Sequence, residues 1–310
     1  MASAFSQLQS HGNSFLMQIR CRRQPPVLSI SNGNHGSADH AADNGMGRDV
    51  DWTLFAAIFV VLISPAIGSF LGVLVDRLPR GEDVVRKPST CRNCGTGLAA
   101  TDLVPVASYA ILRGKCRTCH SEIPAWHFYI EIAAIGLGVI AALATGNVVA
   151  VVASAAFLWL LLGLAVADAV WYRLPDLMTA GLLVAGFTIA WADPQRTIIN
   201  AVIGSAVGCG GFWALRGAYR QIRGREGLGL GDVKLMAGIG AGIGPMALPA
   251  LLLLASLAGL VLAATRASHT KIPLKGTNKL PFGAFLSLSA MVIWFVMTVL
   301  PNISIMLALR

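Results

Sequence analysis

Five acidic residues stand in or at the edge of long apolar segments: Asp76, Glu131, Asp168, Asp176 and Asp232. Charge is costly in such places, so each is a functional candidate. Asp168 closes one apolar run and Asp232 opens another, so two helices far apart in sequence offer carboxylates at the same membrane boundary. Two carboxylates held close do not both ionise readily, and the pair keeps one proton at working pH. The ionised member can then take a proton from water while the protonated member donates to a scissile carbonyl, as in aspartic proteases generally. Asp232 stands in Gly227-Leu228-Gly229-Leu230-Gly231-Asp232-Val233-Lys234. Its alternate glycines let the backbone come close to a substrate strand, so Gly229, Gly231 and Lys234 are counted with the site. An isolated boundary aspartate is otherwise a helix N-cap, a role Asp232 can fill at the same time. Asp176, after Pro175, reads as a cap or as dipole compensation. Asp76 beside Arg77, and Glu131 one turn into an apolar segment, read as local ion pairs or as the lining of a cofactor pocket.

Four of the six cysteines form Cys91-Arg-Asn-Cys94 and Cys116-Arg-Thr-Cys119, the spacing of a tetrathiolate zinc site. Gly95 and Gly114 are expected to allow the two turns. Disulfides are the lesser alternative, because the charge pattern places this loop in a reducing compartment. Zinc ribbons often bind nucleic acid, but the stretch Leu103 to Leu112 between the pairs is apolar where a basic face would be needed. It is expected to pack on the membrane part, and no nucleic-acid partner is expected. Cys21 and Cys209 are isolated and read as incidental.

The elements that must hold these groups are membrane helices. Of 310 residues 55% are hydrophobic and only 13% charged, against about 25% charged in soluble domains. Apolar stretches long enough to cross about 30 Å of hydrocarbon fall near 53–75, 127–145, 148–167, 177–192, 197–215, 233–247, 247–265 and 282–300. The chain therefore reads as an all-α polytopic protein of about eight transmembrane helices, with a small zinc-ribbon-like domain between the first two. The run 233–265 is nearly unbroken and is split at Pro245 and Pro249. Gly238, Gly240, Gly242 and Gly244 lack a preceding strand, so they mean close helix packing rather than a phosphate loop. The net charge of +9 is explained by Lys and Arg in alternate loops, which the positive-inside rule makes cytoplasmic. The remaining loops hold little beyond Arg196. Residues 1–51 are polar without an apolar period and read as a disordered tail, with Met46 an alternative start. Residues 52–76 are the first transmembrane helix, 77–126 the cytoplasmic four-cysteine domain and 127–310 the membrane domain.

Several motifs occur in order. They are Gly68-Ser69-Phe70-Leu71-Gly72 through Asp76-Arg77-Leu78-Pro79, the two cysteine pairs, Asp168 to Leu174-Pro175-Asp176, Gly229-Leu230-Gly231-Asp232, and Leu280-Pro281-Phe282-Gly283. From Gly68 to the last span the chain resembles the bacterial type IV prepilin peptidases, leader peptidase/N-methyltransferases among the GxGD membrane aspartyl proteases. The resemblance implies that Asp168 and Asp232 are the catalytic pair, with Gly229 and Gly231 as the GxGD glycines and Cys91, Cys94, Cys116 and Cys119 as a zinc site. It also implies an inner-membrane enzyme that removes a basic leader after a glycine in prepilins or type II secretion pseudopilins. Methylation of the new N-terminus with S-adenosylmethionine rests on the resemblance alone, since residues 77–126 hold no glycine-rich cofactor fingerprint. The rival from another class is a transporter that uses Asp168 and Asp232 as a proton relay.

Overall fold

In hydrocarbon a backbone must satisfy its own polar groups, and long apolar runs do so as helices. The structure, a computed structural model, describes residues 52–144, 147–193, 196–224, 227–270 and 280–308. The tail 1–51, with Cys21 and Met46, lies outside the described residues. Among them the chain forms α1 (Trp52–Arg77), the short α2 (Ala107–Ile111), α3 (Trp126–Ala144), α4 (Val148–Trp171) and α5 (Asp176–Ala192). These are followed by α6 (Ile198–Arg223), α7 (Leu230–Ile243), α8 (Leu248–Thr270) and α9 (Phe282–Ala308). The only strand-like pairing among the described residues is two isolated bridges, Thr90 with Gly97 and Lys115 with Glu122.

The protein is all-helical, with six helices long and apolar enough to cross a membrane. The other two expected spans also coincide with helices, but shorter ones. α5 has 17 residues and α7 has 14, the latter about 21 Å of helix against about 30 Å of hydrocarbon. α7 is short because Gly244, at φ 81°, ends it. A 3₁₀ turn over Pro245–Ala247 follows, and Pro249 falls in the first turn of α8. The break predicted at Pro245 thus begins one residue earlier, where glycine takes a left-handed φ without a Cβ penalty.

α4 is the centre of the bundle and packs on α1, α3, α5 and α9. Its Phe157, Leu158, Leu161 and Leu164 are fully buried. α7 is held by α5, α6 and α9. Gly204 of α6 and Gly240 of α7 face each other so closely that a Cβ on either would overlap the other's carbonyl. A Cβ at Gly186 would come within 2.8 Å of the Gly242 nitrogen. The glycine run of α7 is therefore a helix-packing surface. At the end of α7 remote from Asp232, Arg196 donates to the Gly242 carbonyl, to Thr298 Oγ1 at 3.0 Å and to Asp193 at 3.2 Å. A cation there also complements the negative end of the helix dipole.

Candidate active site

Asp168 lies in the last turn of α4 and is buried. The helix ends three residues later, at Trp171, because Tyr172 is left-handed, at φ 52°. That turn sends Arg173-Leu174-Pro175 back across the end of the bundle into α5. Asp232 is the third residue of α7. The cap is Gly229, so Asp232 is not the N-cap; its carboxylate instead reaches back to the Gly229 N–H. The third segment of the site is the start of the helix α9. The Ala284 N–H donates to Asp168 Oδ2 at 2.9 Å.

These three segments bring the two carboxylates together. The position that a Cβ of Gly283 would occupy lies 3.0 Å from Asp232 Oδ1 and 3.1 Å from Asp168 Oδ2. The two oxygens are therefore no further apart than about twice that distance. They share a cleft of about 400 Å³, also lined by Leu78, Pro79, Tyr172, Arg173, Gly229, Leu230 and Lys234. The glycines of the motif differ in what they face. Gly231 backs onto Leu174, with a would-be Cβ 3.0 Å from the Leu174 Cβ, whereas Gly229 meets nothing closer than 3.6 Å and lies open to the cleft. Lys234 pairs with Asp176 at 2.7 Å, so two residues considered separately in sequence form one exposed ion pair at the rim.

The four cysteine sulfurs lie within 4.8 Å of one another, and none of these cysteines is in a disulfide. Tetrahedral bonds of about 2.3 Å set sulfurs roughly 3.8 Å apart, and Cys91 and Cys119 stand 3.7 Å apart. The donor set therefore fits a zinc ion. The knuckles repeat one design: the Gly95 N–H donates to the Cys91 carbonyl and the His120 N–H to the Cys116 carbonyl. The left-handed residue is Gly95 (φ 72°) in the first but His120 (φ 55°) in the second. Gly114 (φ 69°) instead closes the end of α2, its N–H donating to the Tyr109 carbonyl, so the expectation that it makes the second knuckle's turn is corrected. The Ser121 hydroxyl and N–H hold the Cys119 thiol down to about 5, and N–H groups of Cys94 and Asn93 lower that of Cys91. Both effects favour the thiolate a metal needs.

A cavity of about 460 Å³ separates this ribbon from α1 and α3, lined among others by Asp76, Glu82, Arg92, Tyr109, His127 and Glu131. Asp76 and Glu131 both face it; Asp76 makes a local pair, with Arg80 one turn on rather than with Arg77, whereas Glu131 takes a backbone N–H. Asp76 pairs with Arg92 and, at 3.2 Å, with Arg80. Arg77 is buried and donates instead to the carbonyls of Asp83, Lys87 and Pro88. Glu131 accepts the N–H of Val106 at 2.7 Å, which holds that β-branched residue at φ 61°. The apolar insert leans on α3 there and through Tyr109, stacked on Phe128 at 4.9 Å, while Ile111 stays exposed. The cavity and the carboxylate cleft sit at the same end of the bundle. Arg173 donates to the Pro79 carbonyl at 3.0 Å, and the Arg80 guanidinium lies 4.5 Å over the Trp171 ring.

The model of the bacterial peptidase A24 N-terminal domain matches residues 62–145, and that of the type IV leader peptidase family matches residues 155–264. A prepilin leader peptidase/N-methyltransferase of Dichelobacter nodosus is 31% identical over 264 residues, 76% of this chain and 90% of the relative. The chain belongs to the type IV leader peptidase family. Another relative in the family, of Aeromonas hydrophila, has the same name and is 31% identical over 79% of this chain and 91% of its own. The type 4 prepilin-like proteins leader peptide-processing enzyme of Escherichia coli O78:H11 is 33% identical over 72% and 87%. No solved structure matches the chain. Of the two family models, the first spans the cysteines and the larger cavity and the second spans Asp168 and Asp232.

Sequence reasoning gave no role to the start of α9 or to Leu174. Both belong to motifs noted above, Pro281-Phe282-Gly283 and Leu174-Pro175, but nothing local shows that they meet the carboxylates. A proline followed closely by glycine at the mouth of an apolar helix was the available signal.

Proposed function

We propose that this leader peptidase is a membrane aspartic endopeptidase of the bacterial inner membrane, crossing it eight times. It cleaves the basic leader of type IV prepilins or type II secretion pseudopilins after a glycine, with Asp168 and Asp232 as the catalytic pair. The observation that carries the reading is the approach of those two carboxylates, from helices 64 positions apart in the numbering, in one cleft with the open Gly229. One aspartate takes a proton from water as it attacks the scissile carbonyl, and the other donates to the carbonyl oxygen. The tetrahedral species collapses with transfer of a proton to the leaving amine. Arginine-rich loops flank this end of the bundle, and the positive-inside rule puts them in the cytoplasm, where a basic leader resides.

Zinc, held by Cys91, Cys94, Cys116 and Cys119, serves structure in this reading: with all four positions filled by thiolates it has no open position for chemistry. The relatives' names support a second activity, methylation of the new N-terminus. The larger cavity, about 460 Å³ and lined by both carboxylates and cations, is of a size to take S-adenosylmethionine. Bound there, the cofactor would supply an electrophilic methyl group.

The test is cleavage of a prepilin with a Gly-Phe junction by membranes carrying wild type, Asp168→Asn or Asp232→Asn. Wild type is expected to cut, and each variant, inserted at equal level, to lose on the order of 10²–10⁴-fold. Undiminished cleavage by either variant would rule out the pair.

A further inference from the structure

We infer that Gly283 is a positioning residue of the aspartate pair. The first turn of α9 holds the Asp168 carboxylate toward Asp232 through the Ala284 N–H, and the absent side chain at 283 leaves the two acids room to approach. This rests on the two-aspartate reading above.

The first observation is the hydrogen bond of 2.9 Å from the Ala284 N–H to Asp168 Oδ2, with the Gly283 N–H directed at the same carboxylate. N–H groups in the first turn of a helix have no partner within it. Ala284 is buried, so its N–H needs a partner from another part of the protein, and Asp168 supplies it across 116 positions. The second observation is the space at 283. A Cβ there would lie 3.0 Å from Asp232 Oδ1, 3.0 Å from Leu174 Cδ1 and 3.1 Å from Asp168 Oδ2. The φ of Gly283 is not left-handed, so the backbone does not ask for glycine; the surroundings do. Two of the three atoms that would have to give way are the carboxylate oxygens themselves. A methyl group at 283 is thus relieved by moving the acids apart, which alters the reacting geometry while leaving the helix intact.

The experiment compares Gly283→Ala, Ala284→Pro and Ala284→Gly with wild type and Asp168→Asn, in purified full-length enzyme acting on a Gly-Phe prepilin, with melting temperature followed in parallel. Gly283→Ala is expected to lose about 10-fold in kcat, since contacts of 3.0–3.1 Å are relieved by less than the 1 Å displacement that costs about 10²-fold, with KM and melting temperature unchanged. Ala284→Pro removes one N–H at a first-turn position that tolerates proline, and should fall likewise. Ala284→Gly keeps the N–H and should lose far less kcat than Ala284→Pro. If Gly283→Ala does not insert, the contrast between Ala284→Pro and Ala284→Gly decides. Wild-type kcat in Gly283→Ala or Ala284→Pro, with Asp168→Asn silent, overturns the positioning role alone; cleavage by Asp168→Asn overturns the reading beneath it.

Discussion

Leu174 lies so close to Gly231 that a Cβ on the glycine would sit 3.0 Å from the Leu174 Cβ and 3.2 Å from its Cδ1. The glycine next to Asp232 is therefore dictated by a neighbour from the α4–α5 connection. Gly231→Ala is expected to push the two segments slightly apart and lower cleavage by about 10-fold, less than the roughly 10²-fold of a full 1 Å misplacement. Adding Leu174→Ala vacates the contested space, so the double variant should recover part of that loss. If the double variant is no better than the single one, Leu174 is not what Gly231 accommodates.

The crossing of α6 and α7 makes a second prediction. Gly204→Ala places a methyl group against the Gly240 carbonyl, an overpacking expected to cost about 1–3 kcal/mol. Because α7 carries Asp232, cleavage should drop with stability. Gly210→Ala, on the same helix but with nothing within 4 Å of the new Cβ, is the control and should change neither. Thermal melting in detergent with a cleavage assay reads both, and equal behaviour of the two variants would refute the packing account.

Metal content tests the ribbon. Enzyme purified without chelator is expected to carry about one zinc per chain, and Cys94→Ser or Cys119→Ser to carry far less. Metal binding and local folding are linked at such sites. The segment around the cysteines should therefore become quickly cleaved by trypsin at Arg92 and Arg117 when zinc is stripped. A metal-free preparation that resists trypsin equally well would exclude zinc as the fastener.

Hydrogen bonds from Arg92 and Lys87, each 2.8 Å long, hold Glu82 at about 2, below its ordinary 4.5. A carboxylate whose value is depressed by folding contributes stability that is complete above its unfolded value and lost as pH falls through the folded one. The ribbon should loosen between about 4.5 and 2, and sooner in high salt, since the pairs are solvent-exposed. Hydrogen exchange over residues 81–92, corrected for intrinsic rates, should accelerate in that window. In Glu82→Gln it should be fast throughout, and an unchanged pH response in that variant would show that Glu82 is not the titrating group.

The sequence by itself determined the solvent of this protein and the inventory of its chemistry. Hydropathy adds up along a stretch of chain, so each apolar run announced a helix, and the cysteine spacing was itself a local geometry. Asp168 and Asp232 stood out because a carboxylate at a membrane boundary is expensive wherever the rest of the chain lies. Lengths were less legible: α7 is 14 residues because Gly244 breaks a run whose hydropathy continues past it. The pairing of Asp76 with Arg80 and Arg92, of Glu131 with the Val106 N–H, and of His120 with the turn expected of Gly114 was decided by the fold. So was the part played by Leu174 and by the start of α9 around the two acids. These are contacts between segments as much as 116 positions apart. Whether they form depends on how glycine-lined helices pack against α4 and α7, which side chains read along the chain do not encode locally.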